Sequence, residues 1–328
     1  MRRGRRGVRA IAAAFLAALF AGRAIAQGAH YPARLVTIVA PSAPGGLYSL
    51  FARIMADRLA QRLGQTFLVE NRPGAASVLG AAGVARAPAD GYTLMIASGA
   101  TLAVNVTLHK ALPYDPVVDF VPIALIARVP EVLVVNPALP VRSLADLVAL
   151  AKRAPLTFAS AGPGTAQHLE GEMLKQALGL DMTHVPYKGA LPALTDVVGG
   201  HVSLMFAPVT PALSLIEAGK LRALGIAARE RVAALPDVAP LADLGLPGFE
   251  PSGWFMLVAP AATPRAIVDR LHMEARGILA DPALRAQFVR EGLIPVDTPA
   301  PEALAAYVRA QIAYWRDTLT RLGLAGME

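Results

Sequence analysis

Short runs of apolar, β-branched residues alternate along this chain with stretches whose apolar positions recur every three or four residues. Leu35–Val39 is the first run and reads as a buried strand. Beyond it, Leu47, Leu50, Phe51, Ile54, Leu59 and Leu63 fall at helical spacing, with Gly64 where a C-cap belongs. Between strand and helix lies Ala40-Pro41-Ser42-Ala43-Pro44-Gly45-Gly46-Leu47-Tyr48-Ser49. A strand, a Gly-rich turn and a helix leave unpaired N–H groups at the positive end of a helix dipole, a place suited to an anion. The same unit serves equally well as a tight βα connection with no ligand.

The alternation continues. Thr66–Glu70 predicts a second strand, Asn71–Gly74 a turn, Ala75–Arg86 a small-residue helix, and Tyr92–Ala97 a strand ending at Ser98-Gly99. Pro113, Pro116, Pro122 and Pro130 punctuate the next stretch, and the chain is expected to cross into a second domain near Arg128–Pro130. Val132–Val135 follows as a strand, then a helix from Ser143 to Lys152 with Ser143 as N-cap. Leu156–Ala159, Ser160-Ala161-Gly162-Pro163-Gly164-Thr165 and Ala166–Leu178 then repeat the opening architecture as strand, Gly-rich loop and helix. A strand ending in His184–Gly189, a helix to Val198, a strand Val202–Phe206, a helix opened by Pro208-Val209-Thr210-Pro211 and a strand Leu221–Ala227 complete this half. Leu235–Gly253 reads as a linker, and Trp254–Val258 as a strand returning to the first domain. Helices from Thr263-Pro264, over Asp281–Glu291 and over Pro301–Leu322 close the chain. Strands alternating with helices predict parallel, doubly wound sheets, and 328 residues predict two domains. One anion-ready loop in each suggests a two-jawed clamp around a small anion.

The formal charge of +7 invites a nucleic-acid reading until its location is examined. Six of the 31 basic residues (Arg2, Arg3, Arg5, Arg6, Arg9 and Arg23) lie in the first 26, leaving 25 against 24 acidic ones, a net of +1. No nucleic-acid partner is expected. These first residues form a leader, with an Arg-rich start, an apolar run from Ala10 to Ala21 and Ala24-Ile25-Ala26 as a cleavage site before Gln27. Export to the periplasm follows, and with no cysteine the exported fold must rest on core packing.

No G-x-S-x-G elbow, HExxH or P-loop is present, and Gln167 stands where a dinucleotide fingerprint needs glycine. His168 and Glu172 are one helical turn apart, but two such residues do not make a metal site, and His168 reads as pocket wall. His184 reads as structural, and Met95, Met205 and Met256 as strand core. Without a nucleophile–base pair the chain is not expected to be an enzyme, and no cofactor is expected.

Several segments resemble a known family in order along the chain: Pro44-Gly45-Gly46, Val69-Glu70-Asn71-Arg72-Pro73-Gly74, Ala85–Leu94 (ARAPADGYTL), Leu112-Pro113-Tyr114-Asp115-Pro116, His184-Val185-Pro186-Tyr187-Lys188-Gly189, Ala218–Leu224 (AGKLRAL) and Leu235-Pro236-Asp237-Val238. Together they resemble the tripartite tricarboxylate transporter substrate-binding proteins, the Bug-type receptors, from Tyr31 to about Trp315. The resemblance implies a type II periplasmic-binding-protein-like α/β fold, two doubly wound domains around a ligand cleft. The division is residues 27–127 with 251–328, and 128–250, after a signal peptide over 1–26. It implies a small organic carboxylate as ligand and the membrane permease subunits of a tripartite transporter as partners, with the receptor itself a monomer. A secreted sensor presenting its ligand to a membrane signalling partner would need the same clamp. The expected ligand-binding residues are Pro44, Gly45, Gly46, Leu47, Tyr48 and Ser98 in the first jaw, and Ser160, Gly164, Thr165, His168, Tyr187 and Ala207 in the second. Where the family continues Gly-Gly-Ser/Thr-Asp this chain has Gly45-Gly46-Leu47-Tyr48, and where it has Met-Phe-Asp-Asn this chain has Met205-Phe206-Ala207-Pro208. Losing an aspartate from each jaw argues against a ligand bearing an ammonium group.

Overall fold

The computed structural model describes residues 31–249, 251 and 253–327. The leader, the cleavage site before Gln27, and Glu250 and Ser252 beside the second crossing lie outside the described residues. In chain order the elements are β1 (Val36–Ala40), α1 (Leu47–Leu63), β2 (Phe67–Asn71), α2 (Val78–Ala85), β3 (Thr93–Ser98), α3 (Asn105–Leu108), β4 (Phe120–Val129), β5 (Glu131–Val135), α4 (Leu144–Ala151), β6 (Leu156–Ser160), α5 (Ala166–Leu178), β7 (Met182–Pro186), α6 (Ala190–Val198), β8 (Leu204–Pro208), α7 (Val209–Glu217), β9 (Arg222–Ala227), β10 (Gly253–Pro260), α8 (Arg265–Leu279), α9 (Pro282–Arg290), β11 (Ile294–Pro295) and α10 (Pro301–Arg321).

They build two sheets, one of six strands in the order β11-β4-β10-β3-β1-β2 and one of five in the order β7-β6-β8-β5-β9. Side chains alternate between the faces of each strand, as the pleat requires. Val36, Ile38, Leu94 and Ile96 face one cluster, with α1 and α8. Val39, Met95, Ala97 and Met256 face the other, with α10. The second sheet is covered in the same way, Leu133 and Phe206 on one side and Val132 and Met205 on the other. All three methionines read as strand core are wholly buried.

The sheets are mixed rather than purely parallel, which corrects the expectation. β1, β2 and β3 are parallel, and so are β6, β7 and β8. β10 runs antiparallel to β3 and β4, and β5 antiparallel to β8 and β9. The physical reason is that the strands flanking a crossing begin at the boundary where their neighbours end. Phe255, near the start of β10, pairs with Ser98 at the end of β3; Glu131, at the start of β5, pairs with Pro208 at the end of β8. That reversal gathers the loops following β1, β3, β6 and β8 along one seam.

Three local expectations also change. The prolines read as punctuation hide β4: Pro122 sits inside it, opposite Val258 where the β10 register shifts, a break in the ladder that tolerates a missing N–H. The helix expected over Ala75–Arg86 begins only at Val78, because Ala75, Ala76 and Ser77 all adopt left-handed φ values of 42, 47 and 80°. The expected linker over Leu235–Gly253 is packed along its described part from Leu235 to Phe249, with Leu241 and Phe249 buried and Phe249 stacked on Phe206 at 5.7 Å.

Candidate functional site

The first strand, turn and helix form as predicted. β1 ends at Ala40, the exposed Pro44–Gly46 turn follows, and α1 begins at Leu47 with Gly46 as an N-cap that supplies no side-chain bond. A Cβ built on Gly46 meets no atom within 4 Å, so the backbone there faces open space. Leu47 and Tyr48 are half-buried against the α1 core, and the Tyr48 ring stands edge-on to Phe255 at 4.9 Å. The Tyr48 hydroxyl reaches Ser98 Oγ at 2.6 Å and Thr101 Oγ1 at 3.1 Å. Thr101 also meets Ser77 Oγ at 2.9 Å, so four hydroxyls meet beneath the first loop. Thr101 and Ser77 went unread in the sequence; the only signal was a Ser-x-x-Thr spacing from Ser98, which any turn can carry.

The second jaw is closed on itself. Ser160 is wholly buried; its hydroxyl takes the Gly162 N–H at 3.0 Å and lies 2.7 Å from His184 Nε2. Thr165 donates its hydroxyl to the Gly162 carbonyl at 2.7 Å, and the Gly164 N–H donates to His168 Nδ1 at 3.2 Å. His168 thus anchors the loop at the head of α5, stacked 4.2 Å from His184, which in turn stacks on Phe158. Burial, with the Lys175 ammonium adding to it, lowers the His168 pKa to about 4. Burial and the neighbouring His168 lower that of His184 to about 4 as well. The Tyr187 hydroxyl donates to Asp196 at 2.5 Å, and Ala207 is buried within β8. In this structure Ser160, Thr165, His168, Tyr187 and Ala207 have their partners within their own half, whereas Gly164 stands at the seam.

The second loop meets the first half at α3. A Cβ built on Gly164 would lie 2.3 Å from Leu108 Cδ2 and 3.6 Å from Asn105 Oδ1, side chains of α3 across the seam. Asn105 is wholly buried and neither end of its carboxamide has a hydrogen-bond partner. Two carboxyls were also invisible to sequence reasoning. Glu131 and Glu170 are buried beside the seam, Glu131 accepting from Gln167 Nε2 at 2.7 Å. Burial pushes both well above the usual carboxylate range, with the proximity of Glu131 adding to the shift of Glu170. Glu172 pairs with Lys175 at 3.0 Å, and among the described residues no three acidic or histidine side chains converge as a metal site would need.

The one hydroxyl–imidazole contact described above, Ser160 with His184, is wholly buried at the serine and tied to the Gly162 backbone, so it presents no nucleophile to the seam. Backbone donors at the head of a helix in each half suit holding an anion rather than transforming one.

Comparison with known proteins agrees in fold and family. The sequence profile of the tripartite tricarboxylate transporter family receptors matches residues 51–324. The solved structure of Rpa4515 from R. palustris with adipate is 35% identical, with a TM-score of 0.86 over 90% of this chain and 99% of that one. The periplasmic binding protein BugD is 34% identical, with a TM-score of 0.84 over 90% of this chain and 99% of its own. MatC from Rhodopseudomonas palustris with bound malate is 34% identical, with a TM-score of 0.82 over 88% of this chain and all of its own. This family and fold are those of solute-binding proteins, not of enzymes. The chain belongs to the tripartite tricarboxylate transporter receptor family, of Bug type.

Proposed function

We propose that this protein is a periplasmic receptor that captures a small organic carboxylate between two domains and delivers it to the permease subunits of a tripartite transporter. The domains are residues 27–127 with 251–328, and residues 128–250. The observations that support the reading are a Gly-rich loop at the head of a helix in each half, after β1 and after β6, and the seating of Gly164 of the second loop against Leu108 and Asn105 of the first half. Helix N-termini and the hydroxyls of Tyr48 and Ser98 give a carboxylate neutral donors without a fixed cation. The related proteins crystallised with adipate and malate support an acid ligand. Among the described residues no helix is long and apolar enough to cross a membrane.

The ligand is a carboxylate without an ammonium group. Leu47, Tyr48, Ala207 and Pro208 supply no negative charge, and an unpaired buried ammonium costs several kcal/mol, on the order of 3 or more. Titration calorimetry with adipate, malate and succinate, each beside its α-amino counterpart, tests this. Binding of an unsubstituted or hydroxylated acid, with at least tenfold weaker binding of the amino acids, is expected. Tighter binding of the amino acids would overturn the selectivity, and no binding of any acid the receptor reading.

A further inference from the structure

A carboxyl pair lies where α5 passes over the start of β5. Glu131 opens β5 directly after Pro130, at the point where the chain leaves the first sheet for the second. It is 2% exposed and stands in register with Pro208 at the end of β8 and Ala227 at the end of β9. Glu170, in the second turn of α5, is wholly buried. One oxygen of Glu131 accepts from Gln167; the other, and both of Glu170, have no hydrogen-bond partner.

Among the described residues no cation is paired with these carboxyls. The second sheet presents Pro208 and Ala227 beside Glu131, and α5 presents Gln167 and Glu170. The other charged groups of α5, Glu172 and Lys175, pair with each other and lie toward His168 and His184. From the first half, the turn after α9 brings Gly292 against Val209, and its neighbour Glu291 is another acid. Two ionised carboxylates in this place would be like charges buried without a counter-ion, which is among the costliest arrangements a fold can hold. Protonated, each loses its charge and gains an O–H donor.

We infer that the Glu131–Glu170 pair is only partly ionised in the folded chain, and that capture of an anion at the head of α5 draws a further proton onto it. The coupling half rests on the receptor reading above. Its basis is positional. The helix whose N-terminus faces the cleft carries Glu170 roughly 6–7 Å along its axis. Its opposite face packs Leu169 into the core of the first sheet, so α5 bridges the seam. A negative charge on Glu170 opposes a second one at the same helix end. That repulsion makes the anion-bound form the better proton binder. By reciprocity, lower pH then tightens anion binding.

Calorimetric titrations with adipate and malate, from about pH 6 to about pH 8.5 in two buffers of different ionisation enthalpy, measure both affinity and protons taken up. At these pH values the carboxyls of the acids themselves are already ionised. The wild type should bind more weakly as pH rises, by up to about tenfold per pH unit for each proton coupled. Glu170→Gln and Glu131→Gln, which keep shape and hydrogen-bonding capacity, should flatten that profile and release less proton uptake on binding. Without any ligand, thermal melts should show the wild type losing stability relative to both variants as pH rises, because the folded chain holds protons that the unfolded chain gives up. Parallel melting curves for wild type and variants overturn the protonated pair. A pH profile of binding that persists unchanged in both variants overturns the coupling. If no acid binds at any pH the receptor reading and the coupling fall together, while the melts still decide the state of the pair.

Discussion

Replacing Gly46 by Val separates binding from folding more cleanly than any other change at the cleft. Gly46 is the N-cap of α1, with φ −91° and ψ −177°, extended backbone that any residue adopts. A Cβ there meets no protein atom within 4 Å, so no overpacking term arises. The fold loses the modest N-cap advantage of glycine over Val, about 0.5–1 kcal/mol. It regains about 0.4–1 kcal/mol because the unfolded chain is less free. The net effect on stability is near zero, a melting shift of no more than about 2 °C. Among the described residues the amides of Gly45 and Gly46 have no backbone acceptor, and each charge-assisted bond they give a carboxylate is worth about 1.5–3 kcal/mol. Branching at the close approach should remove at least one such bond, a loss of roughly 10- to 150-fold in affinity. The assay is calorimetry with adipate or malate beside a melting curve, with Gly46→Ala as an intermediate step. Equal affinity in wild type and Gly46→Val, with unchanged melting, would refute the reasoning and remove the first loop from the site.

Gly171→Ala should act in the opposite sense, on the fold and not on the ligand. A Cβ at Gly171 falls 2.2 Å from Cε2 of the buried Phe158, and overpacking of this kind costs about 1–3 kcal/mol, a drop of several degrees in melting temperature with affinity retained in the folded fraction. Gly164→Ala should weaken ligand binding through the seam, because the new Cβ meets Leu108 across it at 2.3 Å and the residue must keep φ at +71°; small-angle scattering with ligand should then show less compaction than in the wild type. His168, lowered to about 4 by burial, stays neutral in the folded chain while the unfolded chain gains a proton below its ordinary value of ~6.5, so stability is lost as pH falls from ~6.5 toward 4, by up to about 1.4 kcal/mol per pH unit. His168→Asn, which keeps an acceptor for the Gly164 N–H without titrating, should give a shallower fall in melting temperature over that range; an identical fall would exclude His168 as its source.

Much of the architecture was legible because its signals are local. The apolar spacing of Leu47–Leu63, with Gly64 at φ +69°, defines α1 from propensity and capping alone, and Ser143 caps α4 by accepting from the Asp146 N–H as its position predicts. Ala166–Leu178 came out residue for residue, because a turn rich in glycine and proline precedes it and Gly179 ends it. The crossing strands were less legible, since a proline such as Pro122 is read as a breaker unless the register shift that shelters it is known. Strand direction was not legible at all. The reversal of β5 and β10 follows from where a neighbouring strand ends, a fact of pairing and not of composition.

The site divides in the same way. The two Gly-rich loops could be read from their own residues, because glycine, helix onset and strand end lie within a few positions of one another. The hydroxyl cluster of Tyr48, Ser77, Ser98 and Thr101 could not, since its members are brought together from three separate segments. Nor could the commitment of Ser160 to His184 and of Tyr187 to Asp196, which turns two plausible ligand hydroxyls toward their own half. Glu131 and Glu170 show the limit most plainly. In the sequence they are two glutamates 39 positions apart, of the type most often found in solvent. Only tertiary packing of α5 over β5 buries both without a cation, and burial is what changes their chemistry.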